Sequence, residues 1–471
     1  QAPEEQRNNK RSLDGNEKDD MTTCDGHDNG MHSVETAATR QLDKGMEEAE
    51  RLQAREITEL SLEERSDVYE DIHGVRRPVE ETDAFRQRHL QRLDHELTVG
   101  LYDSKRKHQF SIDDRAMKEA YTMTSFLAPR ITSDVDLRLA MLRATRWDAQ
   151  EAAIKMMKYI LMKQKLFGKE RCLRPIVFSD LEPDAQESIK SGSIAFHDDR
   201  DGLTIRPTVV QYSARWKTQY VLSQGQSSFY TSHIFSRSVR VQQYGMVAVI
   251  YTNGASMSHF QRALAFSKFN TLDAMPMRAG ALHICFSNPL LKPLLSALFQ
   301  LMPKDFRLRC KLHCGPPQEC NTELMTYGIP ASLLPAGEVT AYDPDIAHDT
   351  LQKCFQRDQD ALDKFYEGKP EHCIDTPPRS TDVLLGRGRP YQKFPGNLDF
   401  SAILEKSKES YNHPSTTKVE KTRMTRDLVE QLRESGVRFL KHDGSGDWWE
   451  EVSDSVARQR AAMCLRNMLR K

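Results

Sequence analysis

Long apolar runs are missing from this chain. No stretch approaches the ~18 to 20 apolar residues that a helix needs to cross a bilayer, so any meeting with a membrane takes place at its surface. No charged segment followed by an apolar one opens the chain, and secretion is not expected. Regular cysteine spacing is missing as well. Nine cysteines are scattered singly, and an odd number without a leader reads as reduced thiols in the cytosol or nucleus. Charge of one sign is missing: a net charge of -1 over 471 residues selects neither nucleic acid nor membrane, and only regional charge can choose a partner. Catalytic signatures are missing too. There is no G-x-S-x-G elbow, and Gly386-Arg387-Gly388 lacks the further glycines of a phosphate-binding loop or dinucleotide fingerprint. Cys310, His313, Cys314 and Cys320 lack the paired C-x-x-C spacing of strong zinc sites. The chain is therefore read as a non-enzyme with no metal or resident cofactor.

What is present divides the chain into six parts. Hydrophobic residues make up 38% and charged residues 29%, polar enough that part of the chain should lie outside any core. Residues 1–60 are rich in Asp, Glu, Asn and Gly with almost no aromatics, and are expected to be a disordered acidic N-terminal region. Residues 61–132 form a charged helical extension, in which Ser61 and Glu64 have capping-box spacing. Residues 133–172 form a helical lobe. Asp148 is its second helix's N-cap, Gly168 its stop, and Ala153, Met156, Met157, Ile160 and Leu161 its apolar stripe. From 173 to 343 the period changes to strands at Pro175–Phe178, Thr208–Ser213, Gly245–Tyr251, Ala281–Ser287 and Arg307–Cys314. Helices separate the later ones, which predicts an α/β fold with a mostly parallel sheet. Residues 344–379 read as a helix and a Pro-rich linker, and residues 380–471 as a separate module.

Within the 173–343 segment one helix is almost wholly apolar. Between Pro289 and Pro303 only Lys292, Ser296 and Gln300 are polar, spaced i, i+4, i+8 as one narrow stripe. Such a helix must be buried on most sides, as a core helix or as a lid over a hydrophobic cavity. Its gate residues are Leu291, Leu294, Leu295, Leu298, Phe299 and Met302. In the strand that follows, Arg307, Arg309, Lys311 and His313 alternate with apolar residues. They are either a solvated face or an anionic headgroup site.

The order of these features resembles the CRAL-TRIO family of lipid-binding domains. DLRLAMLRATRWDAQEAAIKMMKYI looks like that family's helical entry lobe. VQQYGMVAVIYTNG and LHICFSNP look like two of its strands, LLKPLLSALFQLMPKDFRLRCKLHCG like its gating helix and next strand, and ELMTYGIPASLLPAGEV like its terminal helix. The likeness spans about 200 residues. It implies a helical lobe, a mostly parallel sheet, and a gating helix over an apolar pocket that binds or transfers a phosphoinositide or other lipophile. Strand residues Val247, Val249, Tyr251, His283 and Cys285 would complete the pocket. The family's phosphatidylinositol binders carry a lysine where this chain has Cys310, so the headgroup is left open. The expected protein is cytoplasmic and touches membranes transiently.

The last segment, TDVLLGRGRPYQKFPGN onward, reads as a small α+β domain of helix, helix, hairpin and helix. Its hairpin turn is placed at Asp443 to Gly446. It carries 17 lysines and arginines against 13 acids. It resembles an uncharacterised domain family with a D-V-L-L-G-R-G-x-P opening. Gly386, Arg387, Gly388 and Arg389 are its candidate interaction loop, for a protein partner or nucleic acid. The rival to a lipid carrier is a lipid-sensing nuclear regulator whose C-terminal domain binds DNA.

Overall fold

The protein is described by a computed structural model covering residues 29–100, 113–197, 206–217, 220–261, 271–337 and 339–468. β-branched and aromatic segments pair as a five-stranded sheet: β1 (Ile194–His197), β2 (Thr208–Tyr212), β3 (Met246–Tyr251), β4 (Ala279–Phe286) and β5 (Cys310–Cys314). Spatial order follows chain order. β1 is antiparallel to β2 and the other pairs are parallel. The parallel majority follows from the helix-length segments between strands.

The helices are α1 (Asn29–Thr58), α2 (Leu62–His73), α3 (Asp83–Thr98), α4 (Asp113–Leu127), α5 (Val135–Ala144), α6 (Ala149–Arg171), α7 (Pro183–Lys190), α8 (Val221–Phe235), α9 (Val239–Tyr244), α10 (Lys292–Leu301), α11 (Lys304–Leu308), α12 (Pro317–Thr326) and α13 (Pro344–Tyr366). The capping box of Ser61 and Glu64 opens α2, and Asp148 caps α6 by accepting from the Glu151 N–H. Gly168 interrupts α6 rather than ending it. No described helix is long and apolar enough to cross a membrane.

Three expectations change. The disorder expected over residues 1–60 lies outside the described residues up to 28, but Asn29–Thr58 is one helix. Its Ala49, Gln53 and Glu56 are buried, so this polar segment is ordered by tertiary contact rather than by its own composition. Pro175–Phe178 is not a strand. The Asp180 carboxylate accepts from the Val177 N–H and pairs with Arg174, winding Phe178–Asp180 into a 3-10 turn. The outer strand is Ile194–His197 instead. Arg307 and Arg309 precede β5: Arg307 lies in α11, and Arg309 follows it.

Alternation along the strands sorts the core. Val210, Tyr212, Val247, Val249, Tyr251, Ala281 and Cys285 meet Cys320, Leu324, Ile329, Leu334 and Val339 on one face. Leu282, Ile284, Phe286, Cys310 and Leu312 pack on the other, beneath Leu295 and Phe299 of α10. A larger cluster joins α4, α5, α6 and α8, among its members Met141, Met156, Ile160, Phe229 and Phe235. Each such buried side chain contributes roughly 1.5 to 3 kcal/mol.

The C-terminal part contains α14 (Pro395–Asn412), α15 (Lys418–Glu434) and α16 (Asp454–Asn467) around β6 (Val383–Leu385), β7 (Phe439–His442) and β8 (Trp449–Glu451). β6 runs parallel to β7, and β7 and β8 form the expected hairpin. Asp443 ties its turn by accepting from the Gly446 and Trp448 N–H groups. Val383, Phe400, Leu404, Val429, Phe439 and Leu465 make a core of its own. It also packs against the rest of the chain. Leu384, Phe394, Leu440 and Trp449 join the central helical cluster, and Trp449 Nε1 donates to Leu127 O at 2.8 Å. The segment read as a linker is pinned as well: Ile374 N donates to Trp449 O, and Arg438 binds Thr376 and Pro377.

Candidate functional site

The apolar helix sits where a lid would. Leu295 and Phe299 are buried, and Leu291, Leu294, Leu298 and Met302 are half-buried against the same cluster. Leu290 and Leu301 are 70% and 66% exposed. The polar stripe is not turned to water along its length. Ser296 is buried against α1 at Gly45, where an added Cβ would lie 3.4 Å from the Ser296 Oγ. Helix α1 is thus a strap laid along the lid, with Met46 and Ala49 completing the apolar contact.

The cations expected to greet an anionic headgroup have internal partners. Arg307 donates from Nε to Glu56 at 2.8 Å. It also caps the carboxyl end of α10 by donating to Gln300 O and Met302 O, groups that a helix end leaves without partners. The same guanidinium holds the Glu56 carboxyl below its ordinary range. Gln53 bridges the strap to β5, donating to Arg307 O at 2.6 Å and Cys310 O at 3.0 Å, and accepting from Lys311 at 3.5 Å. Arg309 pairs with Asp71 of α2 at 3.0 Å. Asp71 has a fully buried side chain and also holds Arg76, Arg146 and Arg278. The basic strip is therefore closed in this state, not a solvated face.

The strand residues assigned to the pocket are not under the lid. Val247, Val249, Tyr251 and Cys285 belong to the face covered by α12. His283 and His313 are also buried there, with Nδ1 and Nε2 2.9 Å apart. His313 Nδ1 is 3.0 Å from Glu323. Burial and the neighbouring His313 keep the His283 ring neutral, well below its ordinary pKa. The correction is one of alternation: Leu282, Ile284 and Phe286 are the β4 residues that face the lid.

A second site escaped the sequence reading. A cavity of about 790 Å³ lies within the helical layer, between α5, α6, α8, α9 and α13, with Asp447 of the C-terminal hairpin on its wall. Tyr159 and Lys163 come from one face of α6, and His233 and Arg237 from the end of α8. Tyr159 Oη and His233 Nδ1 are 3.1 Å apart, and His233 Nε2 is 3.2 Å from Arg237. The signal was a lysine at i+4 from a tyrosine, interrupting the buried stripe of α6. None of the expected gate residues lines this cavity.

In the C-terminal loop, an added Cβ on Gly386 would lie 2.1 Å from the Tyr391 ring, and Gly388 has φ of +108°. Gly388 is favoured by its backbone conformation, and Gly386 by the close approach of the Tyr391 ring. Arg387 and Arg389 project into solvent. Tyr391 in turn packs edge-on against Phe126 of α4. Among the described residues, no group of three or more His, Cys, Asp or Glu side chains could hold a metal ion.

The architecture is an α/β domain with a helical layer and an apolar helix, α10, covered by α1, against which a small α+β domain packs. Residues 382–467 match a family described as a domain of unknown function, DUF6824. No match was found among curated proteins.

Proposed function

We propose that the chain is a CRAL-TRIO-type carrier that binds, and transfers or presents, a lipophile on the sheet face beneath α10, with α1 as the latch. The observation that carries this reading is α10: an apolar helix with Leu301 and, just before the helix, Leu290 facing solvent, held down by a strap through Glu56 and Gln53. An anionic membrane competes with Glu56 for Arg307 and with Gln53 for Lys311, because phosphate oxygens accept charge-assisted bonds at least as well. Release of the strap then frees the lid, and Leu290 and Leu301 enter the apolar boundary of the bilayer. A phosphoinositide or another anionic lipid suits the cations so uncovered. In this reading the protein acts in the cytoplasm and visits membranes peripherally, and its C-terminal domain is a docked regulatory or interaction module. The exposed Arg387 and Arg389 favour a second reading, in which that domain binds DNA and the lipid domain is a nuclear ligand sensor.

The test is lipid transfer between vesicles. Glu56→Gln, which weakens the latch, should raise transfer from vesicles containing phosphatidylserine. Replacing Leu295 and Leu298 together by Asp should reduce it sharply, since an unpaired charge in an apolar site costs several kcal/mol. A folded double variant that transfers lipid normally would remove the case for a lid.

A further inference from the structure

We propose that the cavity in the helical layer is a binding site for a phosphomonoester carried on a small organic body, separate from the lid. Its volume of about 790 Å³ is within the range of sites that enclose small molecules.

The electrostatics of its lining are unbalanced. Some of its cations come with acids: Lys364 lies 2.6 and 2.7 Å from Asp134 and Asp136, and Arg143 lies 2.6 Å from Glu81. For two others the pairing stops. Lys163 is 2% exposed and its ammonium donates to Arg174 O at 2.6 Å. Arg237 donates to Arg357 O and meets His233. Neither has a carboxylate within ion-pair distance among the described residues. Asp358, which acts on Arg237 through space, is turned to the Phe178 N–H and the Tyr230 hydroxyl. A buried and a half-buried cation with only neutral acceptors are costly unless an anion joins them. Burial pushes Lys163 down to about 8, as expected of an ammonium lacking its counter-charge.

The neutral groups point the same way. A guanidinium has no acceptor, so His233 Nε2 must offer its lone pair to Arg237. Nδ1 then carries the proton and donates to Tyr159 Oη, and the Tyr159 hydroxyl proton is left to point elsewhere. Tyr159, Lys163 and Arg237, which line the same cavity, thus present donors in excess of acceptors. Two cations and a hydroxyl match a dianionic phosphomonoester, with the planar guanidinium suited to bind two oxygens. Ile131, Leu137, Val239 and Phe365 on the walls suit an organic body rather than free phosphate alone. Such a group occurs on soluble metabolites and on lipid headgroups.

The experiment is a calorimetric titration of the full chain with phenyl phosphate, against sodium chloride of equal ionic strength. Phenyl phosphate should bind and chloride should not. Lys163→Met and Arg237→Met should each weaken binding about tenfold or more, while Lys163→Arg should retain it. Melting separates ligand binding from a structural role: Lys163→Met should leave the melting temperature of the unliganded chain unchanged or raised, because it removes an uncompensated buried charge. A parallel arm incubates the chain with phosphatidylcholine vesicles containing phosphatidic acid, itself a phosphomonoester. Extraction of phosphatidic acid that Lys163→Met abolishes assigns a lipid source, and binding of phenyl phosphate alone assigns a soluble one. No binding in either arm, or equal binding by wild type and a folded Arg237→Met variant, would overturn the proposal. The titration reads the cavity whether or not the lid carries lipid.

Discussion

Under the lid, apolar side chains close on a sheet face, and Arg307 and Arg309 each meet a carboxylate of the N-terminal helices. In the helical layer the chain keeps about 790 Å³ open and lines it with cations, two of which, Lys163 and Arg237, meet only neutral groups. The first region is satisfied as it stands, and the proposed function requires that α1 be displaced. The second is unsatisfied as it stands, and something must enter it. Apolar burial is non-directional and tolerates a packed, empty resting state. Buried charge does not, because its cost is relieved only by a partner.

The largest effect that would break this contrast lies on the lid side. Asp71 holds Arg76, Arg146, Arg278 and Arg309 from a fully buried position, and so joins α2 to the lobe, β4 and β5. Asp71→Asn should lower stability by about 3 to 5 kcal/mol, the loss expected when one partner of a buried ion pair is removed. A denaturant melt within experimental error of wild type would mean that these arginines are satisfied without it.

A smaller effect belongs to the cavity side. Burial pushes Asp358 up to about 6, from an ordinary value of 3.8. The folded chain therefore binds this proton more tightly than the unfolded chain does. The carboxyl's contribution is most favourable below pH 3.8 and is lost as pH rises through 6. Unfolding free energies measured across that window should fall less steeply with rising pH in Asp358→Asn than in wild type. An unchanged slope would show that Asp358 ionises as an ordinary carboxyl. The smallest effect belongs to neither region: Arg387→Ala, on an exposed loop, should change stability by no more than about 0.5 kcal/mol. A collapse of the melt would make that arginine a structural staple rather than a contact for a partner.

The apolar helix was legible because its signal is local. Ten apolar positions in one window can mean little but burial, and β2 to β5 announced themselves by strand-length runs between helices. Which strand face the lid covers was not legible. A parallel strand buried on both faces reads as continuous apolar sequence, so Val249 and Ile250 cannot be told apart without the lid in place. The acids that neutralise Arg307 and Arg309 lie more than 230 residues earlier, Glu56 in a segment whose own composition argues against order and Asp71 in the charged helical extension. The cavity was invisible for the same reason: Lys163, Arg237 and Asp447 come together from distant parts of the chain. The docking of the C-terminal domain was hidden because Leu384, Leu440 and Trp449 read equally well as that domain's own core.

The most direct test of two separate sites is hydrogen exchange of the full chain, with each probe added alone. Phosphatidylserine vesicles should deprotect the strap and lid, residues 44–58 and 289–302, and leave the cavity segments 155–163 and 233–242 unchanged. Phenyl phosphate should protect those cavity segments and leave strap and lid unchanged. If both probes alter the same segments, lid and cavity are one site, and the division drawn between them is wrong.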